Sequence, residues 1–220
     1  MRCMISAAIF VLAVFVAYGQ DSSGRNATEV SAIWGPPEIA WPIVRFQPTV
    51  TREMVGSLNI AGFPINLEET ELVTTQKHFG GEIGNRGDAG DALGWLCLYR
   101  RDQGTSWVLW LESSEIDGPT IGGFRWQKLD PNSKMDKRCQ SLEESNASFS
   151  LPLALRLGMK EAEVRSTLGQ PSARSGEMAI YEHEHNVTIG SEPYEVSNIV
   201  IITYHCGRVW AINVTHSTVS

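Results

Sequence analysis

Residues Leu155 to Pro171, LRLGMKEAEVRSTLGQP, place the tightest limit on how this chain folds. Met159, Ala162, Val164 and Leu168 recur near helical spacing, so the stretch reads as a short amphipathic helix over about Lys160 to Leu168. Gly158 stands before it, and Glu161 and Glu163 suit the positive end of the helix dipole. Gly169 accepts a left-handed C-terminal position and Pro171 forbids continuation. Strand-rich sequence follows at once. Ile65 to Gly80, INLEETELVTTQKHFG, is a weaker copy of this plan, with a predicted helix over about Leu67 to Phe79 stopped by Gly80-Gly81.

Strands are predicted after both helices. A loop rich in Gly and Asp (Gly84, Gly87, Asp88, Gly90, Asp91, Gly94) leads to Trp95–Arg101, Ser106–Glu112 and Thr120–Leu129. In the later half the predicted strands are Met178–His185, Ser197–His205 and Val209–Thr215, with a long connection over 186–195 and a tight turn at Gly207-Arg208. The expectation is an α+β fold of two tandem units, each a short helical segment packed on a three- to four-stranded antiparallel sheet. The first unit covers 58–130, a polar connector 131–150, and the second unit 151–220.

Residues 1–19 read as a signal peptide. Arg2 is followed by an apolar run from Ile5 to Ala17, and Ala17-Tyr18-Gly19 fits a cleavage site, which puts the mature start near Gln20. Residues 20–57 are a Pro- and Gly-rich linker whose Trp34, Trp41 and Phe46 suit docking onto the domain. Loss of Arg2 with the signal leaves 17 Lys+Arg against 25 Asp+Glu, a net charge of −8. That acidity argues against nucleic acid and anionic membrane surfaces as partners, and suits a basic patch on a protein. The expected location is secreted or periplasmic, with no stable membrane anchor after cleavage.

Cysteine use fits export. Cys97 lies in the strand-like run WLCLYR and Cys139 in the polar segment after the first unit's last strand, and these two are expected to pair. Such a bridge closes a loop of about 40 residues, worth about 3–4 kcal/mol in the chain-entropy model. Cys206 alternates with Val200, Ile202 and Tyr204 and reads as a buried, unpaired apolar residue.

Leu155 to Pro171 with its strand meander resembles the SmpA/OmlA family of small outer-membrane assembly lipoproteins. The doubled plan resembles the fold of the beta-lactamase inhibitory protein, which is two such units in tandem. The Ile65 to Gly80 copy departs from the pattern: Glu68 replaces the Gly, no Pro follows Gly80, and one extra residue lies inside. The resemblance implies a protein-binding module of the bacterial envelope rather than an enzyme. The family's lipid-attachment cysteine has no counterpart at the cleavage point, so the likeness does not extend to membrane anchoring.

Several residue sets bear on possible chemistry. His183 and His185 share a strand face and His205 is expected on a neighbouring strand, a set that would suit zinc, although EHEHN also fits a solvated strand edge. Asp88 and Asp91 lack the calcium-loop spacing. The carboxylate pairs Glu68-Glu69, Glu112-Glu115 and Glu143-Glu144 fit exposed positions. Ser113-Ser114 has no nucleophile elbow, and Gly118 to Gly123 matches no nucleotide-binding fingerprint, so neither an enzyme nor a cofactor is expected. The aromatics carry more. Trp110, Trp95, Tyr99, Trp126 and Tyr181 all fall on predicted strands, and an open sheet face bearing them would bind an as yet unidentified protein partner. Packing against the linker at Trp34 and Trp41 is the alternative for Trp110, while Trp107 and Trp210 are assigned to the core. The leading expectation is therefore a non-catalytic protein-binding module. Zinc binding by the strand histidines and recognition of envelope glycans through Trp and Asp are the alternatives.

Overall fold

The computed structural model describes residues 32–38, 55–88, 91–101, 106–115, 117–142 and 148–220. The expected signal peptide, Trp41 and Phe46 lie outside them. The fold is dominated by sheet, with two short helices. In chain order the elements are β1 (Ser57–Ile60), β2 (Phe63–Asn66), α1 (Leu72–Phe79), β3 (Ile83–Arg86), β4 (Leu93–Arg100), β5 (Trp107–Ser114), β6 (Gly123–Lys128), β7 (Gln140–Ser141), β8 (Phe149–Ser150), α2 (Glu161–Leu168), β9 (Ala173–Ser175), β10 (Met178–Ile189), β11 (Glu192–His205) and β12 (Arg208–Val219).

Nine strands form one continuous sheet in the order β3-β4-β5-β6-β12-β11-β10-β9, with β7 parallel to β4 at Leu98 and Tyr99. Every other pairing in this sheet is antiparallel. Its middle seam joins β6 to β12, from Ala211↔Gln127 to Thr215↔Gly123. A second sheet, β2-β1-β8, lies against it.

Strand alternation sorts the core into two layers. Leu96, Leu98, Trp107, Leu109, Leu111, Phe124 and Trp126 point to one face, as do Tyr181, Val200, Ile202, Ile212 and Val214 of the later strands; this layer is covered by the small sheet, by Leu72 of α1 and by Val164 and Leu168 of α2. Trp95, Cys97, Val108 and Trp110 point to the other face, under Ile33, Trp34, Leu129, Met135 and Cys139. Burial of both faces explains why β5 reads as a continuous apolar run.

The helices start and stop in matching ways. Before α2, Gly158 N–H donates to Val209 O (2.8 Å) and Val209 N–H to Met159 O (2.9 Å), docking the approach onto the start of β12. Before α1, Glu68 N–H donates to Ile121 O (2.8 Å) and Ile121 N–H to Thr70 O (2.8 Å), just ahead of β6. Gly158 and Glu68 both have positive φ, +85° and +62°. Both helices end at a glycine with φ of +88°, Gly80 and Gly169. Glu163 accepts a bond from Lys160 N–H (2.6 Å) at the head of α2.

Four boundaries differ from the sequence expectation. The helix predicted from Leu67 begins only at Leu72, because Phe63–Asn66 is a strand and Glu68 leaves helical space. The Gly- and Asp-rich loop contains β3, whose Gly84 makes room for the Trp95 ring. The supposed long connection over 186–195 is a two-residue turn at Gly190-Ser191 between much longer strands. The polar connector contributes β7, β8 and Cys139 to the folded body. Cys206 is not a buried free thiol: it sits exposed in the β11–β12 turn and is disulfide-bonded.

Candidate functional site

The expected disulfide is present, joining Cys97 on β4 to Cys139 with Cα atoms 4.7 Å apart. It pins the segment after β6 against the sheet, and a second segment, Ala32–Glu38, lies on top. Ile33 N–H donates to Lys134 O (2.7 Å), and Asp136 N–H donates to Ile33 O (2.9 Å). Trp34 then meets Trp95 edge-on with ring centroids 5.8 Å apart, and the Arg138 guanidinium sits 4.4 Å over the Trp34 ring. Arg138 is held in turn by a two-pronged ion pair with Asp136, at 2.8 and 3.0 Å. Hydrogen bonds from Arg138 bring the Asp136 carboxyl down to about 2. Gly35 follows because a Cβ there would stand 3.1 Å from the Trp95 ring.

Beyond Trp34 the arm is held by its carbonyls. Trp110 Nε1 on β5 donates to Trp34 O (2.9 Å), Arg86 Nη1 on β3 to Pro36 O (2.8 Å), and Arg125 Nη1 on β6 to Pro37 O (2.7 Å). Pro36 is buried and Pro37 exposed. Proline has no N–H, so this stretch offers acceptors, and it is met by indole and guanidinium groups that only donate. Glu112, on the same face of β5, balances the two arginines. Burial pushes its carboxyl up from the ordinary 4.5 to about 7, against the opposing pull of Arg125 and Arg86. Burial also lowers Arg125, which the Glu112 charge partly offsets.

The five aromatics expected on one open face are divided between two. Trp95, Tyr99 and Trp110 share the face beneath the arm, while Trp126 and Tyr181 point into the opposite layer. Trp126 packs there on Phe149 (4.2 Å between centroids) and Trp107 (6.4 Å). Trp110 is 1% exposed and Tyr181 fully buried, so neither stands open to solvent. The alternative of packing against Trp34 is the one realised for Trp110.

The zinc set is not assembled. His183 and His185 are adjacent, with ring centroids 4.9 Å apart, but register places His183 opposite Asn198 while His205 pairs with Arg208 at the far end of β11. Seven residues of strand separate the two positions, roughly 23 Å. His205 instead packs edge-on against Trp210. Among the described residues no group of three His, Cys, Asp or Glu side chains is placed to hold a metal ion. In the Gly- and Asp-rich loop Asp91 Oδ1 accepts from Asp88 N–H (2.9 Å), an ordinary turn.

A second polar cluster lies beside a cavity of about 460 Å³ lined by Ser57, Asn66, Glu68 and His216. Glu68 accepts from Thr218 N–H (2.6 Å) and Thr218 Oγ1 (2.7 Å), and its Oε2 lies 3.0 Å from His216 Nδ1. The cluster ties the approach to α1 onto the last strand. Sequence reasoning missed Arg86, Arg125 and Glu112 as site residues and placed Glu112 among exposed carboxylates. The available signal was an arginine between Phe124 and Trp126, which alternation turns onto the face of Trp110, its neighbour in register.

Neither known protein families, nor curated proteins, nor solved structures yield a match to this chain. Among the described residues no helix is long and apolar enough to cross a membrane.

Proposed function

We propose that this chain is an exported, non-catalytic protein-binding module that receives its partner on the face carrying Trp95, Tyr99 and Trp110. The observation that carries the reading is the set of three side-chain donors, Trp110, Arg86 and Arg125, aimed at main-chain carbonyls of an extended segment. Such donors read backbone and hold a guest without reacting with it. The reading includes two tandem units joined edge to edge at β6 and β12. It is supported by matched hydrogen bonds before the two helices, by the positive φ at Glu68 where the later copy has Gly158, and by the glycine stops at Gly80 and Gly169. The likeness of Leu155 to Pro171 to the SmpA/OmlA proteins, and of the doubled plan to the beta-lactamase inhibitory protein fold, points the same way, as does the disulfide for a secreted or periplasmic location. Two of the three donors reaching the arm are arginines, so the partner meets local positive charge, whatever the overall acidity does at long range.

A photo-cross-linking residue at half-buried Tyr99, in the full chain and in the source's exported fraction, tests this. The same probe at exposed Ala162 of α2 is the control. A discrete adduct from Tyr99 that is absent from Ala162 is expected. No adduct, or the same adducts from both positions, would refute the assignment of the face.

A further inference from the structure

We infer that the site accepts an extended, proline-containing segment of a partner protein, and that Ile33–Pro37 is the chain's own occupant, which the partner displaces. This rests on the protein-binding reading above and names the class of partner.

Three features of the arm's contacts define the guest. First, the anchors at Trp34, Pro36 and Pro37 are carbonyl acceptors, so recognition follows the course of the backbone more than side-chain identity. Second, proline brings no amide N–H that would need an acceptor at either position, and a left-handed polyproline run presents its carbonyls outward with no internal bonds to break. Third, the first two positions are selective. An indole fits between the edge of Trp95 and the face of Arg138, and the next residue has little space above Trp95 for a side chain. The guest is therefore an apolar residue, a large aromatic, Gly and two prolines, laid across β4, β5 and β6 in the manner of aromatic grooves that take polyproline peptides.

The arm's own attachment suits replacement. Among the described residues its main-chain bonding to the body is confined to Ile33, through Lys134 and Asp136, and no strand ladder extends along Trp34–Pro37. Covalent attachment gives the arm an effective concentration on the order of millimolar, so a free peptide of equal intrinsic affinity competes at a disadvantage.

The test uses a fluorescein-labelled peptide of the sequence Ala32–Glu38, AIWGPPE, titrated by anisotropy into the full chain and into full-chain Trp34→Ala. The Trp34→Ala chain is expected to bind saturably, at least tenfold more tightly than the unaltered chain. A peptide with alanine at both proline positions should bind at least tenfold more weakly. If folded Trp34→Ala shows no saturable binding up to millimolar peptide, the arm is a fixed strap and the inference falls. Hydrogen exchange of the Trp110 indole N–H in the unaltered chain covers the case in which Trp34→Ala does not fold. Exchange by local opening, insensitive to low urea, is expected, and exchange only through global unfolding overturns the inference. Peptide failure with a discrete Tyr99 adduct would reject the guest class alone. Failure of both would reject the face as well.

Discussion

Glu112→Gln offers the most quantitative check on the polar chemistry beneath the arm. The carboxyl rises from 4.5 to about 7, so the folded state holds a proton that the unfolded chain has already released in between. Stability from this group is complete below about pH 4.5 and is lost as pH rises through about 7. The full 2.5-unit shift corresponds to about 3.4 kcal/mol. About 0.8 kcal/mol of it is gone by pH 5, leaving about 2.5 kcal/mol to be lost between pH 5 and pH 8. Glu112 keeps part of its surface, and solvent screening lowers the expected figure to about 2 kcal/mol. The amide mimics the neutral acid, so Glu112→Gln should exceed the unaltered protein by about 0.6 kcal/mol at pH 5 and by about 2.6 kcal/mol at pH 8, a gap that widens by about 2 kcal/mol. Urea unfolding at both pH values, followed by tryptophan fluorescence with the disulfides oxidised, measures this. Taking the difference between the two proteins cancels other titrating groups such as Glu182, whose carboxyl burial also raises. A gap between variant and parent that changes by less than about 0.5 kcal/mol from pH 5 to pH 8 would refute the reasoning.

Three further predictions follow from packing. Replacing both Cys97 and Cys139 with Ser opens a loop of 42 residues and should cost about 4 kcal/mol in chemical denaturation; non-reducing peptide mapping of the parent should recover the linked pair. Gly84→Ala puts a Cβ 2.3 Å from the Trp95 ring and should lower stability by about 2–3 kcal/mol, with a changed Trp95 fluorescence environment. Asn198 is fully buried and bonds both the N–H (3.1 Å) and the C=O (3.0 Å) of Val55. Asn198→Ala should therefore cost about 2–3 kcal/mol and expose the Val55 amide to fast hydrogen exchange.

The helix at Glu161–Leu168 was legible to within a residue because its signals are local: apolar spacing, a glycine stop and a proline. The Cys97–Cys139 disulfide was legible because one cysteine falls in a strand-like run and the other in the polar segment after the next strands, whereas Cys206 was misjudged because its alternation with Ile202 and Tyr204 runs out at the turn. The small β2-β1-β8 sheet was not legible, since β1 and β2 are four-residue strands around a two-residue turn and β8 is two residues defined by a partner far along the chain, as in Ile60↔Phe149. Glu68 hid the first helix boundary: a glycine there would have announced the positive φ, whereas the glutamate holds it through bonds to Thr218 and His216 that no local window contains. The site was half legible. Trp34 docking and the Trp110 alternative were in view, but alternation fixes only which side chains share a face of one strand. Which face of β4 matches which face of β6 or β10 depends on register, and that is how Trp126 and Tyr181 came to be grouped with residues they oppose.

The seam between β6 and β12 sets an order of events during synthesis. β6 is complete at Lys128, yet its partner begins only at Arg208, so the growing chain carries an open strand edge through the making of α2 and five further strands. Unpaired edges recruit whatever strand is nearest. The interval therefore favours a chain that does not commit to its final sheet until β12 has been made. Once β12 docks, the two halves share one ladder, so a cut at 131–138 would leave them joined by that ladder and by the Cys97–Cys139 bridge.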